Sequence, residues 1–380
     1  MTTAFRRIPG PPRGIDPEGL ERRLYVLPAG VVGGEAAAAA VIAGQGWPIA
    51  DGLLAFTAVG LLSREAAGAS LAVLPFTEAI SWAEDEGLVT ARHVSGLIHR
   101  IGGARKPWGG LELDRPRVMG IVNVTPDSFS DGGEAYEPEA AIVRGVAMAE
   151  AGAAVIDVGG ESTRPGSETV SDEEEQRRVV PVVRALAERN ITVSIDTRHA
   201  RVMAAALEAG ARMVNDVTAL ADPEALALVA RTGAAVCLMH MQGEPKTMQA
   251  APSYACAPLD VYDMLADRVA ACVAAGIPRQ NICVDPGIGF GKTMRHNAEV
   301  LGALALYHGL GCPLLLGVSR KSFVAQMSRG EPARERLPGT LAAELSGLDA
   351  GAHLLRVHDV AETLQAMRVW QAIRCGGDAA

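Results

Sequence analysis

From residue 118 onward, short aliphatic runs alternate with longer stretches whose apolar residues recur every three to four positions. A short continuous apolar run reads as a buried strand, and an apolar stripe of period 3.6 as an amphipathic helix. Strands are therefore predicted at 118–124, 154–158, 192–196, 213–216, 235–240, 282–285, 314–318 and 353–357. Helices are predicted between and after them at 137–151, 172–189, 199–209, 223–231, 259–275, 297–308, 338–350 and 360–373. Eight strand–helix units build a parallel sheet, either closed into a (β/α)8 TIM barrel or opened as a doubly wound sheet.

The pattern before residue 102 is less regular. Stretches 36–43 and 77–86 have helical character, and 53–59 and 71–74 have strand character. A run rich in Gly and Pro at 102–117 marks a boundary. An eight-fold barrel takes about 250 residues, so the chain of 380 divides into a small N-terminal accessory module at 1–110 and the barrel at 111–380.

What separates closed barrel from open sheet is where the unusual polar residues fall. In a barrel the C-terminal ends of all eight strands meet at one mouth, which is where its catalytic residues lie. Here run one ends in Asn123, Thr125 and Asp127, and run two leads into Glu161, Thr163 and Arg164. Run three ends in Asp196 and Thr197, run four in Asn215 and Asp216, run five in His240, and run six in Asp285. Run seven ends in Ser319, Arg320, Lys321 and Ser322, and run eight in Arg356, His358 and Asp359. Such residues cap strands in any protein, but charged or amide groups at all eight ends point to one shared site, and so to the barrel.

The residue types indicate what that site takes. Asp196 and Asp285 beside Asn215 suit a flat heterocycle that presents N–H groups, because a carboxylate accepts two parallel N–H bonds along one edge. Lys321 suits a ring carbonyl, and Arg356 either stacks on a ring or binds phosphate. Barrels often hold phosphate around strands seven and eight, where Arg320, Lys321, Arg356 and His358 collect. Asp127, Asp131, Thr163 and Arg164 sit on glycine-containing loops suited to closing over a substrate.

Composition narrows the field further. Apolar residues at 49% and charged residues at 21% are those of a globular protein able to bury a large core. A net charge of −9 argues against nucleic acid or an anionic membrane as the main partner. The six cysteines form no C-x-x-C pair, and most sit in apolar runs where a reduced thiol packs as a small hydrophobe. The apolar runs at 36–43 and 53–62 are much shorter than the roughly 20 residues of a membrane-spanning helix. Residues 1–16 carry no apolar signal-peptide core, so a cytoplasmic protein is expected.

Three apparent motifs carry nothing. The glycine-rich stretch at 287–293 resembles a phosphate-binding P-loop, but Pro286 stands where its first Gly is required. Asn123 to Thr125 matches a glycosylation sequon without a secretory signal. His240, His296 and His358 show none of the helical spacing of a zinc site.

Taken in order, the motifs closely resemble dihydropteroate synthases. They are 119–133 (MGIVNVTPDSFSDGG), 156–166 (IDVGGESTRPG), 194–197 (SIDT), 214–216 (VND), 237–243 (CLMHMQG), 285–292 (DPGIGFGK), 317–322 (GVSRKS) and 356–359 (RVHD). The likeness spans about 115–374, with Ile288 where many members carry an aromatic residue. It implies a Mg2+-dependent barrel, a homodimer, that joins a pterin diphosphate to 4-aminobenzoate in folate synthesis and is blocked by sulfonamides. It implies that Asp196, Asn215, Asp285 and Lys321 hold the pterin ring and that Arg356 stacks on it. Arg356, His358 and Asn123 would take the diphosphate, Asn123 also near Mg2+, and Thr163 would contact the same substrate. Phe129, Asp131, Arg164 and Pro165 would form the 4-aminobenzoate pocket, with Ser322 at its carboxylate. Catalysis would fall to Asp131, Arg164, Lys321, Arg356 and His358. Two other readings are a methyltetrahydrofolate-dependent methyltransferase barrel and a non-catalytic pterin-binding paralogue. The loops at 128–133 and 162–166 favour the synthase.

Overall fold

The computed structural model describes residues 4–50, 52–66, 68–125, 138–161, 170–244 and 247–375. Eight parallel strands form the larger sheet: β6 (Arg117–Asn123), β7 (Val155–Gly159), β8 (Val193–Asp196), β9 (Met213–Asp216), β10 (Ala235–Met239), β11 (Ile282–Asp285), β12 (Leu315–Leu316) and β13 (Leu354–Val357). Their spatial order is β11-β10-β9-β8-β7-β6-β13-β12. A parallel bridge between Val284 and Leu314 joins the two ends, so the sheet is a closed barrel and not an open doubly wound one.

The helices α4 (Pro138–Glu150), α5 (Asp172–Ala187), α6 (Ala200–Glu208), α7 (Pro223–Thr232), α8 (Ala257–Ala274), α9 (Met294–Gly302), α11 (Leu337–Asp349) and α12 (Val360–Cys375) cover the strands, with a short α10 (Ser322–Met327) after β12. Local chemistry sets their ends. Ser171 accepts from the Glu174 N–H to start α5, and Asp222 does the same for α7 ahead of Pro223. The helix predicted at 297–308 is α9 followed by a 3-10 stretch at Leu304–Leu310. Every residue of that stretch is buried, so it has no polar face from which a period can be read.

Side chains alternate across each strand, and one parity points into the barrel. Its lower interior is apolar: Met119, Val155, Met213, Ala235, Leu315 and Leu354, with Cys237 and Cys283 beside them. Trp108, from the stretch read as a boundary, closes this floor with no exposed surface and donates its indole N–H to the Asn281 carbonyl at 3.1 Å. The 102–117 stretch is thus part of the barrel's packing as well as a connection.

The N-terminal module is a sheet of β1 (Arg6–Arg7), β2 (Leu24–Gly33), β3 (Trp47–Pro48), β4 (Leu54–Glu65) and β5 (Gly68–Pro75), ordered β1-β5-β4-β2 with β3 on β4. Helices α1 (Gly34–Ile42), α2 (Phe76–Asp85) and α3 (Leu88–Gly102) accompany it. Its buried Tyr25, Phe56, Val94 and Ile101 belong to the same apolar cluster as the barrel's outer layer. Tyr25 meets Tyr262 of α8 edge-on with ring centres 5.4 Å apart. Among the described residues no helix is long and apolar enough to cross a membrane.

Candidate active site

The parallel register lines the strand ends up in one layer: Asn123 opposite Gly159, Gly159 opposite Asp196, and Asp196 opposite Asn215. Asn215 faces Cys237 of β10, and one inward step above that layer Met239 lies opposite Asp285 of β11. The polar side chains of these inward positions meet above the apolar floor. Arg356 donates from Nε to Asp157 Oδ2 at 2.6 Å and from Nη2 to Asp196 Oδ2 at 2.5 Å. Asn215 donates its amide to the same Asp157 oxygen at 2.9 Å. Both Arg356 contacts use N–H groups and leave the guanidinium face for a ring.

Gly317 shows how Asp285, Lys321 and Arg356 converge. A Cβ placed on it would lie 3.7 Å from Asp285 Oδ2, 3.8 Å from Lys321 Nζ and 3.9 Å from Arg356 Cβ. Asp285 accepts the Gly287 N–H through Oδ1 at 2.7 Å, which fixes its carboxylate. Lys321 donates to the Ile288 carbonyl and lies 4.6 Å from the Phe290 ring centre. His358 contacts Ser319 Oγ at 3.1 Å through both its Nδ1 and its backbone N–H.

Three carboxylates thus face two cations in a largely buried pocket. Burial raises Asp196, against the pull of Arg356 and with the push of Asp157, Glu175 and Asp216. Burial also raises Asp285, offset by Lys321 and the Gly287 N–H. Both carboxyls therefore favour a ligand that brings N–H donors to their edges. Burial pulls Lys321 down to about 8, against Asp285. Burial and the Arg356, Arg320 and Arg144 guanidiniums push His358 down to about 3, so its imidazole is a neutral hydrogen-bonding group and not a second cation.

Of the predicted site residues, Asp196, Asn215, Asp285, Lys321 and Arg356 come together in this pocket. Asn123 and His358 stand at the ends of β6 and β13 on the same rim, and Ser322 is exposed at the first turn of α10. Phe129, Asp131, Thr163, Arg164 and Pro165, with Asp127, lie outside the described residues. Among the described residues no three His, Cys, Asp or Glu side chains gather as a metal cage. The amide of Asn123 offers a hard oxygen, the kind that Mg2+ takes alongside water and substrate phosphates.

Asp157 is the residue that motif reading passed over. It is fully buried, holds both Arg356 and Asn215, and keeps Oδ1 without a hydrogen-bond partner. Its parity was a usable signal, since it lies two residues from Val155 of the floor and two from Gly159 of the rim. Lys292, set aside with the P-loop likeness, is buried with Nζ 2.8 Å from His240 Nδ1 and donating to the Gly287 and Phe290 carbonyls. It ties together the loop that carries Ile288 and Phe290.

A family model described as pterin binding enzyme matches residues 119–358. Over 263 residues the chain is 49% identical to the dihydropteroate synthase of Escherichia coli K12, which covers 69% of this chain and 93% of that protein. It is similar to the solved Xanthomonas albilineans dihydropteroate synthase with 4-aminobenzoic acid, with a TM-score of 0.67 and 47% identity over 71% of this chain and 97% of that one. A second solved structure of that enzyme, in complex with 7,8-dihydropteroate, matches with a TM-score of 0.64 and 45% identity over 69% of this chain and 95% of that one.

Proposed function

The chain belongs to the pterin-binding enzyme family, among its dihydropteroate synthases, and from this premise we propose how its residues divide the work. The reaction condenses 6-hydroxymethyl-7,8-dihydropterin diphosphate with 4-aminobenzoate, giving 7,8-dihydropteroate and diphosphate, as a transferase of folate biosynthesis. The observation that carries the reading is the Asp157–Arg356–Asp196 triad with Asn215, Asp285 and Lys321 in one buried pocket.

Asp196, Asn215 and Asp285 take the N–H edge of the pterin, Lys321 its ring oxygen, and Arg356 its face. The C–O bond to the diphosphate breaks first, and Arg356, with the neutral N–H of His358, stabilises the departing anion. Mg2+ held by the diphosphate with Asn123 would neutralise leaving-group charge. Thr163 contacts the same substrate, and Asp131 steadies the pterin methylene cation. The arylamine nitrogen then bonds to that carbon and gives up a proton to solvent. Phe129, Arg164 and Pro165 enclose 4-aminobenzoate, with Ser322 at its carboxylate, and no residue serves as a covalent nucleophile. The family resemblance supports a homodimer in the cytoplasm, with no nucleic-acid or membrane partner.

The test is direct: the full chain with Mg2+, both substrates and product detection should form 7,8-dihydropteroate with equimolar diphosphate. A chain that binds the pterin diphosphate and forms neither product sinks the reading. In the same assay Arg164→Ala is expected to raise the KM for 4-aminobenzoate far more than the Kd of the pterin diphosphate. Equal losses on both would place Arg164 elsewhere.

Lys321 adds a pH dependence. Its positive charge is lost above about 8, and with it the charge-assisted donation to the ring oxygen, so kcat/KM for the pterin substrate should fall on the alkaline side of that value. Lys321→Arg keeps its charge throughout and should lack that alkaline limb, whatever its absolute rate. A flat profile for the unaltered chain between pH 7 and about 9.5 would remove Lys321 from this role.

A further inference from the structure

The family match begins at Met119 and leaves the N-terminal module without a role. The module touches the barrel at a telling place. In a (β/α)8 barrel the loop after each strand and the start of the next helix lie on the catalytic side, and Arg64, at the end of β4, reaches the start of α8. It donates from Nη1 to Asp260 Oδ1 at 2.7 Å and from Nη2 to Asp263 Oδ2 at 2.7 Å. The Tyr25 hydroxyl completes the clamp, 3.0 Å from both Asp263 oxygens and 3.3 Å from Arg64 Nε.

Asp260 is divided between two tasks. While Oδ1 takes Arg64, Oδ2 accepts the backbone N–H of Cys256, the last residue of the β10–α8 loop, at 3.0 Å. That loop leans on the pocket wall. Tyr254 donates to the Gly291 carbonyl at 2.6 Å, and Gln249 donates to the Gly289 carbonyl at 2.6 Å. The wall segment between those two contacts presents Phe290 to Lys321, and the Ile288 carbonyl that Lys321 grips immediately precedes it. There is little slack in this path: a Cβ on Gly291 would come within 2.3 Å of the Gln242 carbonyl, and one on Gly289 within 3.2 Å of Lys321 Cδ.

We propose that the N-terminal module is a brace for the pterin end of the active site, with Arg64 as the positioning residue that fixes the β10–α8 loop and, through it, the Phe290–Lys321 wall. Loss of the guanidinium leaves Asp260 without its cation beside the Asp263 carboxylate, which keeps Arg22 at 3.6 Å on its far oxygen. Asp260 is then pushed away, and its hold on Cys256 N–H loosens. The effect falls on the pterin pocket, because among the described residues Gln249 and Tyr254 of this loop bond to the Gly289 and Gly291 carbonyls, beside the Ile288 and Phe290 contacts of Lys321. The proposal rests on the synthase reading for its readout.

The experiment compares full-length Arg64→Met with Arg100→Met. Arg100 anchors the same module to the Gly309 carbonyl at 2.8 Å, in the segment that leads into β12 from the opposite end of the barrel. Arg64→Met is expected to raise the KM for the pterin diphosphate about tenfold, with the KM for 4-aminobenzoate unchanged. Arg100→Met is expected to lower thermal stability without that split. Asp260→Asn, which keeps an acceptor for Cys256 but drops the charge that holds Arg64, should show the same split at smaller size, and it decides the matter if Arg64→Met does not fold. Unaltered pterin KM in the folded variants, equal rises for both substrates, or the same split in Arg100→Met would each overturn the brace. An unaltered chain that makes no dihydropteroate would instead overturn the synthase reading.

Discussion

Arg356→Met is expected to abolish dihydropteroate formation and to cost the fold about 3–5 kcal/mol. Arg356 is the cation that makes Asp157 tolerable at the bottom of the pocket: the carboxylate has no exposed surface, its Oδ2 takes Arg356 and Asn215, and its Oδ1 has no hydrogen-bond partner. Methionine fills much of the volume and supplies no charge, leaving the buried Asp157 and the mostly buried Asp196 as facing carboxylates. Asp196, raised by burial against the pull of Arg356, loses that pull and rises further above its value in the unfolded chain. The sign then follows from linkage. Carboxyls with raised folded values favour the fold where they are protonated, and that favour is lost as pH climbs through the raised values. The stability deficit against the unaltered chain should therefore be smallest in mild acid and deepen toward pH 8. Arg356→Lys should rescue only part of either effect, because one ammonium cannot serve both carboxylates with the geometry of a planar fork. Denaturant titrations across pH, beside a product assay, check both limbs. A variant that folds as well as the parent at pH 8, or that turns over normally, would show that Arg356 is neither the counter-charge nor the ring and phosphate contact.

How much of this was legible in the sequence depended on whether a residue's neighbours left a pattern. The barrel strands were visible because each is a short aliphatic run ending in a polar cluster, and the observed bounds mostly shift by only one or two residues. Asp196, Asn215, Asp285, Lys321 and Arg356 could be grouped because the strand-end rule needs no contact information. Asp157 lies deeper by one inward step, in a run that reads as wholly apolar except for itself, and only the parity of the strand tells that it faces Arg356. In the module, β2 escaped because Pro28 and the glycines at 30 and 33 read as breakers. It pairs only with β4 in the sheet order, and an edge strand is where proline is tolerated. Arg64 left no signal at all. Its meaning depends on Asp260 and Asp263, some two hundred residues away, and no local period or motif encodes that distance.

Asp196→Asn is the second variant expected to act strongly, and on binding more than on folding. In the parent, Asp196 Oδ2 accepts from Arg356, and the carboxylate's remaining acceptor capacity is available to the N–H edge of the pterin. An asparagine side chain has one acceptor and one donor. If the acceptor stays with Arg356, the amide N–H groups meet the N–H groups of the ring; if it turns to the ring, Arg356 meets an amide donor. Either orientation sets donor against donor, and losing a hydrogen bond to a charged group costs about 1.5–3 kcal/mol, so pterin diphosphate affinity should drop roughly 10- to 100-fold. Arg356 keeps Asp157 as its partner, so the fold is expected to survive. The raised Asp196 value supplies an independent signature. Pterin binding by the unaltered chain should weaken as pH falls through that value, because the protonated carboxyl surrenders an acceptor, whereas D196N should lose this acid limb. Calorimetric titration of both chains with the pterin diphosphate over a pH series reads the two effects together. Equal affinities at neutral pH, or an acid limb that persists in D196N, would move the pterin edge to Asp285 and leave Asp196 as a counter-ion for Arg356 alone.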